Sequence, residues 1–306
     1  MGLSRIGGMV VYDIPKVKLG NSDIEITRFM SGGNPLCGNA HFTREMSDDM
    51  REYFTAKQVV EFLHEVQSHG VNTLQARGDF HRILHWFELF KREGGQLYFI
   101  AQTASEMHDL VSNIKVIAAS GAEAIYHHGS RTDNLWLDGK IDEVEDYLKC
   151  IRDTGVQVGI ASHIPEVLDY VEDKGWDIDF YMTCFYNLNK SKRESALVDP
   201  FNAGALEEFH EDDPPKMIRF INQTDKQCLA FKFLAASRRC KTQEDVREAF
   251  EYVFANIKPG DATIAGMFPK YDDQIKLNVE HALAAIAKVE EGGRLAAADW
   301  KRMEVG

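Results

Sequence analysis

The sequence predicts a single (β/α)8 barrel, a TIM barrel, entered through an N-terminal β-hairpin, and three observations carry that prediction. Short apolar runs alternate eight times with stretches of helical periodicity. No Gly-x-Gly-x-x-Gly turn opens any of these alternations, which argues for a closed barrel over an open dinucleotide-binding sheet. His, Asp, Arg, Gln and Lys gather at the carboxyl ends of the apolar runs, the face on which barrels carry their functional groups. Residues 1–306 fit one domain of this kind.

Residues 17–27 alternate apolar and polar side chains around Gly20-Asn21-Ser22, a hairpin signal. Residues 28–31 follow as the first barrel strand and open into the Gly- and Pro-containing loop 32–38, with His41 soon after. Thr55 caps a helix whose Val59, Val60, Leu63 and Val66 share one face and whose end is marked by Gly70. Further strands are expected at 71–76, 97–103, 122–128, 156–162, 178–184, 228–234 and 263–267, and helices include 105–120, 142–154, 165–174, 242–257 and 272–288. The long aperiodic connection 187–213 carries Lys190, Lys192 and Arg193 ahead of the acidic run 207–213. A loop of that length on a barrel usually covers the active face. Residues 289–306 read as a C-terminal extension, either a helix against the barrel or a frayed tail.

The stretch 70–81 is the most informative. At about 3.3 Å per residue, residues 71–76 cross a barrel wall and deliver Gln75, Arg77, Asp79 and His81 to its carboxyl end. A surface turn competes with this reading, because Gly78 and Asp79 are ordinary turn residues.

The formal charge of −13 and a pI near 5.3 leave no basic stripe for phosphate neutralisation. Nucleic-acid and anionic-membrane partners are therefore not expected, and a small-molecule substrate is. Five widely spaced cysteines without Cys-x-x-Cys give neither a disulfide framework nor a zinc ribbon, so a reducing cytoplasm is expected. No secretory leader and no apolar run of membrane-spanning length is read from the sequence. Whether the chain self-associates stays open.

The order of motifs resembles the aldo-keto reductase family over nearly the whole chain. The resemblance is carried by the hairpin with Leu19-Gly20-Asn21-Ser22-Asp23-Ile24, by Gly70-Val71-Asn72, and by Ile125-Tyr126-His127-His128. Gly159-Ile160-Ala161-Ser162-His163, Tyr186-Asn187-Leu188, and Ile264-Ala265-Gly266 with Asn278 continue it. It implies a barrel binding NAD(P) across its carboxyl face and a Tyr, Lys, Asp and His tetrad that protonates the carbonyl receiving hydride. Residue by residue, the Asp position falls on Gln75, the Tyr position on Phe80 and the Lys position on Gln102 or Thr103, and only the His is kept, at His128. Phe80 has no proton to give, and a carbonyl reduction needs a donor. On the cofactor side, Ser162 matches the carboxamide-binding Ser and Tyr186 the stacking Tyr, while His163 stands where the family has Asn. Lys270 is the residual basic residue near a 2′-phosphate, with Gln274 in place of an Arg, which disfavours NADP.

Read without the family, the strand ends collect His41, Asp79, His81, Gln102, His128, His163, Cys184 and Lys232. Imidazoles with a carboxylate and a thiolate form a ligand set for zinc, manganese or iron, which gives His128, His163, Asp79 and Cys184 as the expected metal ligands. His127 and His128 must point to opposite faces; the family register turns His128 inward. Cys184 competes as a small buried hydrophobe. Lys232, between two Phe residues, must meet a carboxylate, a substrate anion or a carbonyl, because a buried ammonium without compensation is costly. It is a candidate base or Schiff-base nucleophile, with a structural salt bridge as the equal alternative.

The expected catalytic group is therefore His128, Asp79, Lys232 and His81. Arg77, Gln75, Gln102, Phe80 and Tyr186 are the expected substrate contacts, with Ser162 and Lys270 toward a cofactor. The leading expectation is metal-assisted, non-redox proton transfer by an isomerase, lyase or hydrolase on a small oxygen-rich, sugar-like or carboxylate substrate. A divergent NAD(P)-dependent reductase and a non-catalytic ligand-binding barrel are the alternatives.

Overall fold

The structure is a computed structural model and describes residues 3–6, 9–79, 82–104, 107–192 and 207–292, with side chains from residue 12 onward. Two antiparallel pairs precede the barrel: β1 (Leu3–Ile6) with β2 (Met9–Tyr12), and β3 (Lys16–Lys18) with β4 (Glu25–Thr27). The second is the expected hairpin. The first has no counterpart in the sequence reading.

Eight parallel strands close the barrel: β5 (Phe29–Gly32), β6 (Thr73–Arg77), β7 (Tyr98–Gln102), β8 (Ala124–His127), β9 (Gln157–Ser162), β10 (Phe180–Cys184), β11 (Gln227–Phe231) and β12 (Ala262–Gly266). The fold expectation is met. Alternation on each strand sorts the side chains into two layers. Met30, Ile100, Tyr126, Ala161, Phe180, Met182, Leu229 and Ile264 pack together inside. Gly159 belongs to the inner row by necessity, since a Cβ there would lie 2.3 Å from the Phe180 ring. Leu19 and Ile26 of the hairpin join this cluster and stopper the amino end. Side-chain amides of the barrel hold the hairpin in place: Gly20 N–H donates to Gln227 Oε1 (2.9 Å), Asn21 N–H to Gln157 Oε1 (2.9 Å) and Thr27 N–H to Asn72 Oδ1 (2.8 Å).

The outer faces of the strands bury a larger apolar layer under the helices. These are α1 (Arg44–Tyr53), α2 (Ala56–Ser68), α3 (Ile83–Arg92), α4 (Leu110–Ala119), α5 (Gly129–Leu137), α6 (Glu143–Arg152), α7 (Pro165–Lys174), α8 (Asp213–Gln223), α9 (Gln243–Asn256) and α10 (Gln274–Glu290). Thr55 caps α2 as expected, accepting from Gln58 N–H. The helix read at 105–120 starts later because Asp109 accepts from Ser112 N–H and ends the preceding loop. Helices α1 and α5 were not foreseen, and α5 proves important below. The seventh strand, read to residue 234, stops at Phe231 because Lys232 takes a left-handed φ of 61° that no strand accommodates. Most of the long connection (193–206) and the end of the C-terminal extension (293–306) lie outside the described residues.

His127 and His128 do part company at the end of β8. His127 goes outward, fully buried, with Nδ1 2.8 Å from Thr132 Oγ1 and its ring stacked on Tyr147. Thr132 Oγ1 lies 3.1 Å from His128 O and donates there, so it accepts from an Nδ1–H of a neutral imidazole. Burial, with the charge of Arg131 adding to it, lowers this His from 6.5 to about 3. The unfolded chain thus takes up a proton near pH 6.5 that the folded protein refuses, so the contribution of His127 is intact above that pH and is lost as pH falls below it. Denaturant unfolding of wild type and His127→Gln should therefore diverge in slope, with wild type losing about 2 kcal/mol more than the variant between pH 7 and pH 5. Parallel pH profiles would refute this assignment.

Candidate active site

The inner row at the carboxyl end is polar. Gln75, Arg77, Gln102 and Tyr126 project toward the axis from β6, β7 and β8, which pair in register Arg77 to Gln102 and Gln102 to Tyr126. Gln75 Nε2 lies 2.6 Å from the Tyr126 hydroxyl. Burial raises the Tyr126 phenol well above its ordinary value, against a smaller opposing pull from Arg77. Tyr126 was overlooked as a polar group because its flanking residues read as one apolar strand.

Gly78 passes so close to α4 that a Cβ would lie 2.2 Å from Ile117 Cδ1, and its carbonyl accepts from Asn113 Nδ2 (2.9 Å). Asp79, expected to approach the axis as a catalytic group and metal ligand, has its carboxylate engaged at the start of α3. Asp79 Oδ1 accepts from the backbone N–H groups of Arg82 (3.0 Å) and Ile83 (3.1 Å) at the start of α3, and Oδ2 lies 3.6 Å from Arg77 Nε. Helix capping explains this carboxylate. Phe80 and His81 lie outside the described residues.

His128 sits at the N-cap of α5, half-buried, with its N–H donating to Thr103 Oγ1 (3.1 Å). Five residues further on, α5 carries Asp133, which is wholly buried and is the centre of the most tightly built polar group on this face. Its carboxylate accepts from Ser162 Oγ (2.5 Å), from the His163 N–H (3.3 Å) and from His163 Nδ1 (2.6 Å). Ser162, expected near a nicotinamide, is thus tied to Asp133 of α5 and to Ile164. An ionised carboxylate only accepts, so Nδ1 carries the proton in this contact. The ring lies against Gly129, where a Cβ would come within 3.1 Å of Cε1, and edge-on to the inward Phe231.

His163 also lines a cavity of about 90 Å³ with Cys184, Asn187, Asp213 and Lys216. Ser162 pairs in register with Thr183, which sets Cys184 beside His163. The four-residue metal set is not assembled: among the described residues no three His, Cys, Asp or Glu side chains could hold an ion together. Asp79 is spent on α3 and His163 Nδ1 on Asp133.

A larger cavity, about 220 Å³, runs from the barrel rim between the loops after β5, β11 and β12 to α1, α9 and α10. His41, Lys232, Ser237, Gly266, Asp272 and Asn278 are among its lining residues. Its wall is conformationally strained: His41, Lys232, Ala235, Ala236 and Ser237 all have φ between 48° and 75°. Such residues persist only where surrounding contacts hold them. Glu207, from the connection after β10, engages two of them, with Oε1 2.8 Å from His41 Nδ1 and 3.6 Å from Lys232 Nζ, and Arg238 Nη1 donates to the carbonyls of His41 (3.0 Å) and Ala235 (3.3 Å). Lys232 therefore meets a carboxylate, and nothing local in the chain separates Glu207 from its acidic neighbours.

Tyr186, expected against substrate, is instead buried in the outer layer. Its hydroxyl accepts from Arg239 Nε (3.0 Å), its ring meets Phe209 edge-on, and burial pushes its phenol up to about 12. Lys270 is bound to Asp49 of α1.

No family model matches the sequence, and no curated protein matches it. Solved structures do. A Pseudomonas aeruginosa protein assigned to the aldo-keto reductases shares 17% identity, with 90% of this chain and 97% of that chain covered and a TM-score of 0.56. The holo form of an aldo-keto reductase from Bacillus halodurans shares 13% identity over 91% of this chain and 96% of that chain, with a TM-score of 0.52. The fold is that of the aldo-keto reductases.

The two carboxylates should separate on truncation. Asp133→Ala leaves two buried His163 donors short of an acceptor, while Ser162 Oγ keeps the Ile164 carbonyl, and should cost about 3 kcal/mol or more in urea unfolding. Asp79→Ala removes a helix cap and should cost about 1 kcal/mol. Equal losses would contradict the difference in burial drawn here.

Proposed function

We propose that the chain is a nicotinamide-dependent oxidoreductase that acts on the carbonyl group of a small oxygen-rich molecule, with His163 as proton donor. The observation that carries this reading is the Asp133–His163 pair at the mouth of an aldo-keto-reductase-like barrel, with the strained groove opening at the rim of the same face. The residues fit a dinucleotide. The groove offers amides at Asn34, Gln274 and Asn278, the Lys232 ammonium and the His41 ring joined through Glu207, and a way in to Ile264 on the inner face of β12.

When bound, the nicotinamide supplies or accepts hydride. The chain's own residues handle the proton and the charge. His163 Nε2 gives a proton to the developing alkoxide, and the Asp133 carboxylate steadies the imidazole in one orientation and offsets its positive form. This places the donor at the end of the fifth barrel strand, in place of the hydroxyl that Phe80 lacks. Gln75 and Gln102 provide neutral hydrogen-bonding groups for substrate hydroxyls, and Arg77 provides the cation facing a substrate carboxylate. Asp133 is a positioning residue, since it acts through the imidazole. Ser162 supports the same pair.

The metal-assisted isomerase, lyase or hydrolase reading lacks a donor set among the described residues. A non-catalytic barrel leaves both the Asp133–His163 pair and the strained groove wall unexplained. Among the described residues no helix is long and apolar enough to cross a membrane.

Purified protein should oxidise NADH or NADPH in the presence of a small aldehyde or hydroxyketone. His163→Ala should lower kcat by about 100-fold or more while dinucleotide affinity, read by fluorescence titration, stays close to wild type. A variant with undiminished kcat would take the proton-donor role from His163. No dinucleotide binding by wild type would refute the reading as a whole.

A further inference from the structure

The thiol of Cys184 has no part in the hydride chemistry, yet three observations set it against the His163 imidazole. Ser162 of β9 pairs with Thr183 of β10, so the next residues, His163 and Cys184, lie side by side on strands about 4.8 Å apart. Cys184 pairs in turn with Phe231 of β11, whose ring centroid lies 6.0 Å from that of His163. Because β10 runs between β9 and β11, the imidazole reaches across the end of β10, where Cys184 is. Both residues also line the cavity of about 90 Å³ bounded by the first turns of α7 and α8. Cys184 is otherwise buried, so this cavity is the approach to its sulfur.

We infer that Cys184, His163 and Asp133 form a nucleophilic triad, and that the cavity beside them takes the acyl group of a short, uncharged ester. Thiol, imidazole and carboxylate in that order are a nucleophile, its base and the group that orients the base. Asp133 holds Nδ1–H, which leaves the other ring nitrogen to exchange a proton with the thiol. Asn187 Oδ1 accepts from Asn189 N–H (3.2 Å), so its NH2 is left to donate to an oxyanion, and its backbone N–H is held by Asp213 Oδ2 (3.2 Å). The space is smaller than a cavity of about 150 Å³, which admits a benzene ring, and this restricts the acyl group to a few carbons. Glu166 and Asp213 outnumber Lys216 on its wall, which disfavours an acyl group that carries a carboxylate.

The reaction balances with water as the second substrate. The thiol gives its proton to the imidazole as sulfur bonds to the carbonyl carbon, and the carbonyl electron pair moves to oxygen, facing the Asn187 amide. The pair returns, the bond from carbon to the ester oxygen breaks, and the departing alkoxide takes the proton from the imidazolium. Water, deprotonated by the same imidazole, then displaces sulfur from the thioester, giving a carboxylic acid and restoring the Cys184 thiol. No dinucleotide takes part. This activity shares His163 with the proposed hydride transfer and is tested apart from it.

The full chain, without dinucleotide, is mixed with p-nitrophenyl acetate, p-nitrophenol release is followed by absorbance, and acetyl is located by peptide mass spectrometry of samples quenched early. A burst with acetyl on Cys184, ahead of Cys37, Cys150, Cys228 and Cys240, is expected, and p-nitrophenyl decanoate, too long for the cavity, should give none. Cys184→Ala should abolish the burst, and Cys150→Ser should leave it unchanged. His163→Ala should slow acetyl transfer about 100-fold or more, with added imidazole restoring part of the rate beyond its own reaction with the ester, a rescue that a merely structural role would not show. Acetyl on a different cysteine, or on none, overturns the inference. An unaltered rate in His163→Ala removes the triad. Either failure leaves the oxidoreductase reading standing, since that reading is decided by dinucleotide binding and turnover.

Discussion

A side chain on a strand of a closed barrel has two destinations, the axis or the helix layer, and the choice reverses with every residue. That constraint fixes most of what this protein has at its disposal. It sends Gln75, Arg77, Gln102 and Tyr126 to the axis. It sends His127 into the helices, where it is held neutral. Beyond Phe231 the strand ends, and Lys232, with its left-handed backbone, becomes part of the groove wall.

The second constraint is that a buried charge must be met. On the carboxyl face this requirement stitches together segments that the strands alone would leave apart. Asp133 binds α5 to the end of β9 through Ser162 and His163. Glu207 draws the connection after β10 onto the loops after β5 and β11 through His41 and Lys232. Asp79 and Arg77 join the exit of β6 to α3. Each pair trades solvation for one defined geometry, and the site owes its shape to these pairs as much as to the barrel beneath them.

The separation of scaffold from chemistry also explains how the fold is shared with proteins of 13% and 17% identity. The inner and outer layers ask only for apolar volume at alternate positions, which many sequences satisfy. The carboxyl-end residues have no such latitude, and here they differ from the pattern the family resemblance implies: Gln75 and Phe80 replace an acid and a phenol, and His163 with Asp133 stands where an amide would be. Fold and chemistry rest on different demands.

The sequence by itself determined the barrel, the hairpin and the strand order, because apolar periodicity is written locally and each period dictates one kind of element. It could not reveal which polar residues meet. Asp133 lies 30 residues from His163, and Glu207 lies 166 from His41, so neither pairing leaves a local trace. Asp79 follows a strand end, and only the folded chain shows its carboxylate bonded to the backbone at the start of α3. Tertiary structure decided the site, because partnership between charges is set by distance in space, and the closed barrel brings together side chains that the chain keeps far apart.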